Sequence, residues 1–471
     1  MLNSADLPFL DALAAELPDD CLRPPEPRYL TEPRGRWQGQ AAAVALPRSA
    51  AEVATILRAA NRARVGVVPW GGGTGLVGGQ LQPTGPLPVV LSLERMAGLR
   101  GAYPAESVLV VEAGMVLAQV QAEAEKLGRI FPLALASEGS CQIGGNLATN
   151  AGGLNVLRYG NTRDLCLGIE AVLPDGTLFN GLKRLRKDNT GYDLRHLLIG
   201  AEGTLGVITA ASLRLYPKPA EAGTALIAVT DPAAALALLS LAESRLSGMI
   251  SGFELISRIG LDFLAETMPE VTSPLGGTPA WMVLIDIGLP AGFGMAADHL
   301  AALFQAGLAA NLCQDGVIAS SEAQRAALWR IRESIPEGNR RIGAVSSHDI
   351  SLPLSLIPQF IDQAGPALAK IGDWRINCFG HLGDGNLHYN VFPNHGKSRK
   401  DHENQREAVK QCVHDLVDAL GGSVSAEHGL GRLKVDDLLR YGDSGKIAAM
   451  RAIKAALDPN GIMNPGAILQ S

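Results

Sequence analysis

No C-x-x-C pair occurs in the sequence: its six cysteines, Cys21, Cys141, Cys166, Cys313, Cys378 and Cys412, lie far apart. That spacing argues against iron–sulfur and cysteine–zinc sites and fits buried free thiols in a reduced, cytosolic compartment. There is no basic block either, and the formal charge of −6 is mild and spread along the chain. Nucleic-acid binding, which needs clustered cations to neutralise phosphates, is therefore not expected. Long hydrophobic runs are also missing. The apolar stretch 226–250 is broken by Asp231, Pro232, Glu243 and Arg245, so it does not read as a membrane span. The opening MLNSADLPFLDALAAELPDD lacks the basic start and long apolar core of a signal peptide. No internal repeat or low-complexity tract is present.

Glycine, by contrast, is abundant at 54 residues, and 47% of the chain is apolar. A length of 471 residues allows two or three domains with their own cores, rich in tight turns. Ser49 and Glu52 form a capping-box pair ahead of an apolar rhythm at Val53, Ile56, Leu57 and Ala60, which starts a helix. VGVVP (65–69), VVLSL (89–93) and VLVVEAG (108–114) read as strands, and 116–128 as an amphipathic helix ending at Gly128. GIEAVLPDGTLF (168–179) is a hairpin turned at Asp175-Gly176. A strand at 206–215 runs into YPKPAEAG, whose prolines mark a domain boundary. Beyond it, helices at 233–246, 295–310, 322–335 and 403–420 alternate with strands at 281–288 and 375–392, an α+β arrangement. The last stretch, 437–471, is helical until DPNGIMNPG breaks it.

PWGGGTGLVGG (69–79) contains a formal G-x-G-x-x-G. A dinucleotide loop of the Rossmann kind needs a helix after it, so that the helix N-terminus faces the pyrophosphate. Here Pro83, Pro86 and Pro88 follow, and they rule that helix out. Glycines can still cradle a diphosphate with successive backbone N–H groups. Two further segments are equally rich in small residues. They are SEGSCQIGGNLATNAGGLNVLRYG (137–160), with Ser140, Thr149 and Asn150 as hydrogen-bonding side chains, and IGAEGTLGVIT (199–209). Three such loops in one domain point to a site rather than to turns alone.

These segments, followed in order by GHLGDGNLHYN, SAEHGLG and DPNGIMNPG, resemble the flavoproteins of vanillyl-alcohol-oxidase type, in the branch of D-lactate, glycolate and D-2-hydroxyglutarate dehydrogenases. The resemblance covers nearly the whole chain. It implies an α+β protein: a two-subdomain FAD-binding domain of PCMH type (37–217) after an N-terminal helical segment (1–36), a substrate or cap domain with an antiparallel sheet (218–428), and a C-terminal helical segment (429–471) returning to the FAD domain. It implies FAD on Gly71, Gly72, Gly73, Thr74 and Gly75, on Ser140, Gly144, Gly145, Thr149, Asn150 and Gly152, and near Gly203, Ile208 and Asn464. Some relatives attach FAD through a His or Cys of the first loop. None occurs here from 65 to 80, so non-covalent FAD is expected.

GHLGDGNLHYN sets His381 and His388 on either side of a Gly383-Asp384-Gly385 turn, and SAEHGLG adds Glu427 and His428. Two imidazoles and a carboxylate suit a divalent metal with positions left open for substrate. The other six of the chain's nine histidines are scattered in sequence. By the resemblance, His381, His388 and Glu427 are the metal ligands, zinc being the expected ion, and His428 is the catalytic base. A metal on the hydroxyl and carboxylate of a 2-hydroxy acid lowers the hydroxyl pKa, a histidine can take that proton at physiological pH, and hydride leaves to the flavin. Arg332 matches the family's substrate-carboxylate arginine; the alternative is a solvated helix-face arginine paired with Glu333. Asn386 and Asn390 are candidate substrate contacts, Asn386 alternatively a turn residue.

Pro336 and Ser347 stand where D-2-hydroxyglutarate dehydrogenases carry a Thr and a Lys for the distal carboxylate, which puts dicarboxylate specificity in doubt unless Arg340 or Arg341 substitutes. D-2-hydroxyglutarate, D-lactate and glycolate are the candidate substrates, in that order. A quinone, an electron-transfer flavoprotein or a cytochrome is the expected electron acceptor, with association at a membrane only through that acceptor, and a homodimer is the candidate assembly. A zinc hydrolase would leave the glycine loops unexplained, and a non-catalytic flavin subunit would leave the base and metal set unexplained.

Overall fold

The computed structural model describes residues 1–35, 37–277 and 279–470. Arg36 and Ser471, which close two of the expected segments, lie outside the described residues. The chain forms two units. The first comprises Met1–Gly153, Gly160–Lys218 and Glu427–Ser471, the second Leu154–Tyr159 and Pro219–Ala426.

The first unit holds two main sheets. β1 (Leu22–Arg23), β2 (Ala43–Ala45), β3 (Val67–Trp70) and β4 (Val89–Ser92) lie in the order β1-β2-β4-β3, with β2 and β3 both parallel to β4. The helix Ala50–Ala63 joins β2 to β3. Ser49 is the N-cap read from the sequence, its Oγ accepting from the Glu52 N–H at 3.2 Å, but the Glu52 carboxylate accepts from the Ser49 hydroxyl (3.1 Å) and the Arg48 N–H (2.8 Å) rather than from the Ser49 N–H of a capping box. Val53, Ile56 and Leu57 on its inner face are fully buried against Val67, Val89 and Leu91. Each such side chain contributes roughly 1.5–3 kcal/mol of burial. No helix lies between β3 and β4, so the glycine-rich stretch after Trp70 is loop, as the prolines require.

The second sheet is antiparallel and runs β5 (Leu99–Tyr103), β6 (Val108–Glu112), β10 (Val207–Arg214), β8 (Cys166–Val172), β9 (Leu178–Gly181). β7 (Arg129–Ile130) pairs with β11 (Tyr216–Pro217) in a separate two-stranded sheet. The β8–β9 hairpin turns at Asp175-Gly176, where Asp175 accepts from the Thr177 N–H at 2.8 Å. The returning segment 427–471 carries the helices Val435–Tyr441 and Ser444–Leu457.

The second unit is one seven-stranded antiparallel sheet flanked by helices: β12 (Glu221–Val229), β13 (Ile250–Ser257), β14 (Trp281–Leu289), β15 (Cys313–Ile318), β16 (Ser346–Ser351), β17 (Trp374–His381) and β18 (Asn386–Pro393), ordered β15-β12-β14-β13-β17-β18-β16. Two features depart from the sequence reading. The helix expected to end at 335 runs from Glu322 to Ile342, straight through Pro336. Pro336 has no N–H to give the carbonyl of Arg332 four residues back, but Leu328, Ile331 and Ile335 are buried on this helix and hold it together. Residues 154–159, expected within the FAD-binding domain, pack in the second unit instead, where Arg158 donates to the carbonyls of Met249 (3.3 Å) and Gly288 (2.8 Å). Among the described residues, no helix is long and apolar enough to cross a membrane.

Candidate active site

In the first unit the three glycine segments converge on one cavity. Gly71, Gly72, Gly73, Thr74 and Gly75 line it from the first loop, Gly144, Gly145 and Thr149 from the second, Gly203 and Ile208 from the third. Asn464 and His428 join from the returning segment. The first two loops touch through bare backbone: a Cβ on Gly72 would sit 2.2 Å from the Ser140 carbonyl oxygen. Three expected contacts, Ser140, Asn150 and Gly152, are not among the lining residues. The Ser140 hydroxyl turns to the Ser137 carbonyl at 3.3 Å, and Asn150, in the left-handed region at φ 49°, accepts from the Arg163 N–H at 3.0 Å. Both stabilise the local turn.

Two lining residues that the sequence did not single out are Gln142 and Glu202. Gln142 Oε1 is buried with no hydrogen-bond partner among the described residues, the condition of a group that awaits a ligand. With a carbonyl acceptor, closely apposed glycine backbone and a largely apolar wall, the cavity fits an extended, partly polar cofactor such as FAD. Asn464 helps to build the wall: its Nδ2 donates to the carbonyls of Gly79 (3.0 Å) and Glu202 (2.8 Å). Arg432 donates to Asn464 Oδ1 at 2.8 Å, and burial pulls this guanidinium down to about 10.

In the second unit His381 ends β17 and His388 lies in β18, their ring centroids 5.6 Å apart. Glu254 on β13 stands opposite His381 in register, and its Oε1 is 2.8 Å from His381 Nδ1. Its other oxygen accepts from Arg332 Nε at 2.8 Å. Burial alone would raise the Glu254 carboxyl, but His381 and Arg332 bring it down to about 2. An ionised Glu254 can only accept, so His381 Nδ1 carries the proton of this bond. Arg332 is thus no solvated helix-face residue: its side chain is 5% exposed and stacks over Phe379, whose ring also lies 5.0 Å from that of His388.

The two asparagines expected to meet substrate are committed to the sheet. Asn386 Nδ2 donates to Asp349 Oδ1 and to the Ile350 carbonyl, both at 2.9 Å, and Asn390 Oδ1 accepts from the His348 N–H at 3.2 Å. Asn386 thereby fixes Asp349, the residue paired in register with His388. The same aspartate also fixes the chain leading to Glu427, because the Ala426 N–H donates to the Asp349 carbonyl at 3.2 Å. Glu427 and His428 are half-buried and lie side by side, Oε1 to Nε2 3.9 Å. Arg340 and Arg341 are both bound to Glu337 on their own helix and are largely exposed. All six cysteines are free thiols, five of them buried.

Family models match most of the chain: "FAD binding domain" over residues 41–181 and "FAD linked oxidases, C-terminal domain" over 218–468. The chain is 38% identical over 447 residues to the mitochondrial D-2-hydroxyglutarate dehydrogenase of Bos taurus, covering 93% of this chain and 80% of that protein. It is 36% identical over 439 residues to the D-2-hydroxyglutarate dehydrogenase of Xanthomonas citri pv. viticola, covering 93% and 91%. Among solved structures, alkyldihydroxyacetonephosphate synthase superposes with a TM-score of 0.73 at 18% identity, over 98% of this chain and 85% of that one. The α+β class, with a PCMH-type FAD-binding part and an antiparallel sheet in the other unit, is the fold found.

Proposed function

Because this chain belongs to the FAD-linked oxidases and is an FAD-dependent oxidoreductase of hydroxy acids, we propose that it oxidises a D-2-hydroxy acid to the 2-oxo acid, with D-2-hydroxyglutarate the favoured substrate. The observation that carries the reading is that His428, the candidate base, lines the same cavity as the glycine loops. FAD held there without a covalent link would accept hydride, and a divalent metal, zinc the first choice, would lower the pKa of the substrate hydroxyl. His381, His388 and Glu427 would hold the metal, His381 through Nε2 because Glu254 engages Nδ1. His428 takes the hydroxyl proton at a ring nitrogen. Arg332, fixed at Nε by Glu254, offers its remaining guanidinium nitrogens to the substrate carboxylate. Asn386 acts indirectly, by holding Asp349 beside His388.

One observation favours a second reading, a smaller monocarboxylate such as D-lactate or glycolate. Pro336 and Ser347 offer no cation for a distal carboxylate, and Arg340 and Arg341 are engaged by Glu337. The electron acceptor is proposed to be a quinone, an electron-transfer flavoprotein or a cytochrome, and the free thiols support a reducing compartment. The test is anaerobic bleaching of the bound flavin by a panel of D- and L-2-hydroxy acids with zinc or manganese present. Fastest bleaching by D-2-hydroxyglutarate supports the favoured substrate, fastest bleaching by D-lactate or glycolate the second, and no bleaching by any D-acid removes both.

A further inference from the structure

His428 sits in a stretch with no regular structure: from 427 to 430 the chain is in neither helix nor strand. A general base must nonetheless be held to a fraction of an ångström to act. One side chain from far away in sequence grips the backbone just beyond the histidine, where the Gly431 carbonyl also accepts from the Ile468 N–H at 2.8 Å. Glu202 Oε1 accepts from the N–H of Leu430 at 2.8 Å, and Glu202 Oε2 accepts from the N–H of Gly431 at 2.7 Å. Both bonds go to consecutive amides, two and three residues after His428. The carboxylate approaches so closely that a Cβ on Gly429 would lie 2.6 Å from Glu202 Oε1, and Gly429 itself has φ +77°.

Glu202 is built for this reach. Its backbone is in the left-handed region at φ 48°, where a long side chain is disfavoured and glycine or asparagine would be cheaper. Two bonds lock it there: its N–H donates to the Ala148 carbonyl at 2.8 Å, and its carbonyl accepts from Asn464 Nδ2 at 2.8 Å. Burial raises the carboxyl while the two amides, Lys434 and Arg432 favour its charged form. A strained, half-buried glutamate facing the cofactor cavity is costly unless its carboxylate serves the site.

We propose that Glu202 is the positioning residue for His428: its carboxylate clamps the two amides that follow the base and so fixes where the imidazole stands in the cofactor cavity. The inference rests on His428 being the base. The test is rapid-mixing flavin reduction in four holoenzymes: wild type, Glu202→Gln, His428→Ala and the double variant, using D-2-hydroxyglutarate or, if it reduces the wild type faster, D-lactate. Gln keeps one acceptor but faces the second N–H with its own donor. The expected result for Glu202→Gln is unchanged FAD stoichiometry and visible spectrum, an unchanged half-saturating substrate concentration and a maximal reduction rate lower by about tenfold or more. On the His428→Ala background the same change should cost less than about twofold, since it acts through a base no longer there.

A Glu202→Gln enzyme as fast as wild type, with His428→Ala slow, overturns this inference and leaves the base assignment standing. Equal losses on both backgrounds also overturn it, because Glu202 then acts independently of His428. A fast His428→Ala enzyme, or a wild type that no D-2-hydroxy acid reduces, removes the underlying reading and the inference with it. If Glu202→Gln does not fold, Glu202→Asp, with both oxygens one methylene short, is read by the same criteria. Loss of FAD from both variants would assign Glu202 to cofactor retention and overturn the proposal.

Discussion

Glu254 and His381 face each other across β13 and β17, and one Glu254 oxygen binds the His381 imidazole while the other binds the Arg332 guanidinium, each at 2.8 Å. A single carboxylate therefore orients both a candidate metal ligand and the candidate substrate arginine. Glu254→Gln should weaken zinc or cobalt binding by about 10–100-fold, as loss of an orienting partner commonly does. It also leaves Arg332 buried without its counter-charge, which costs about 3–5 kcal/mol. Metal titration of the purified variant and its urea midpoint check the two effects; wild-type metal affinity would count against Glu254 as an orienting group.

The same contact has a pH signature. Glu254 titrates at about 2 in the fold against 4.5 for the free group. A depressed carboxyl stabilises the fold fully above the free value, and that contribution is lost as pH falls from about 4.5 toward 2. The urea midpoint of metal-free wild type should therefore fall toward that of Glu254→Gln across this acid window and stay apart from it at neutral pH. Parallel curves down to the lowest accessible pH would contradict the sign.

His428→Ala tests the base directly. FAD should remain bound, because the glycine loops and Gln142 line its cavity independently of the imidazole. Flavin reduction by substrate should fall by about 10²–10⁴-fold, the usual share of a general base. A chelator should give a different pattern: loss of substrate reduction, retention of the flavin spectrum, and recovery on adding zinc or manganese. Recovery of the His428→Ala enzyme by added metal would mean that the imidazole serves the metal rather than the proton.

These assignments are only partly legible in the sequence, for reasons of distance along the chain. The helix Ala50–Ala63 and the β8–β9 hairpin are readable because a cap and a turn are local devices, Ser49 with Glu52 and Asp175 with Gly176. The glycine loops announce a cavity because small residues at that density have few other uses. Glu254 carries no such signal: it lies 127 positions from His381 and 78 from Arg332, and only the order of strands brings them together. Pro336 misleads in the opposite direction, since a local breaker loses to the packing of Leu328, Ile331 and Ile335. The histidines scattered in sequence include His348 and His414, both buried, whose rings pack edge-on 5.1 Å apart. Glu202 stands inside the third glycine segment yet gives no local sign of its role, because its partners, Leu430 and Gly431, are 228 and 229 residues on.

Gly72 offers the sharpest test of the cofactor cavity. Its missing Cβ would lie 2.2 Å from the Ser140 carbonyl oxygen and 2.8 Å from Cys141 Cα, both backbone atoms that cannot swing aside. Gly145, on the opposite loop, is different: its Cβ would meet only Gly71 Cα, at an ordinary 3.9 Å. Gly72→Ala must therefore push the first and second loops apart, while Gly145→Ala adds a methyl to the wall without moving either. The expected outcome is that Gly72→Ala purifies with little or no flavin and reconstitutes with an FAD affinity lower by about 100-fold or more, from an overpacking cost of about 1–3 kcal/mol added to lost backbone contacts. Gly145→Ala should keep most of its FAD. Equal retention of flavin by the two variants, measured by absorbance after gel filtration, would show that the cofactor does not depend on the close approach of these two loops.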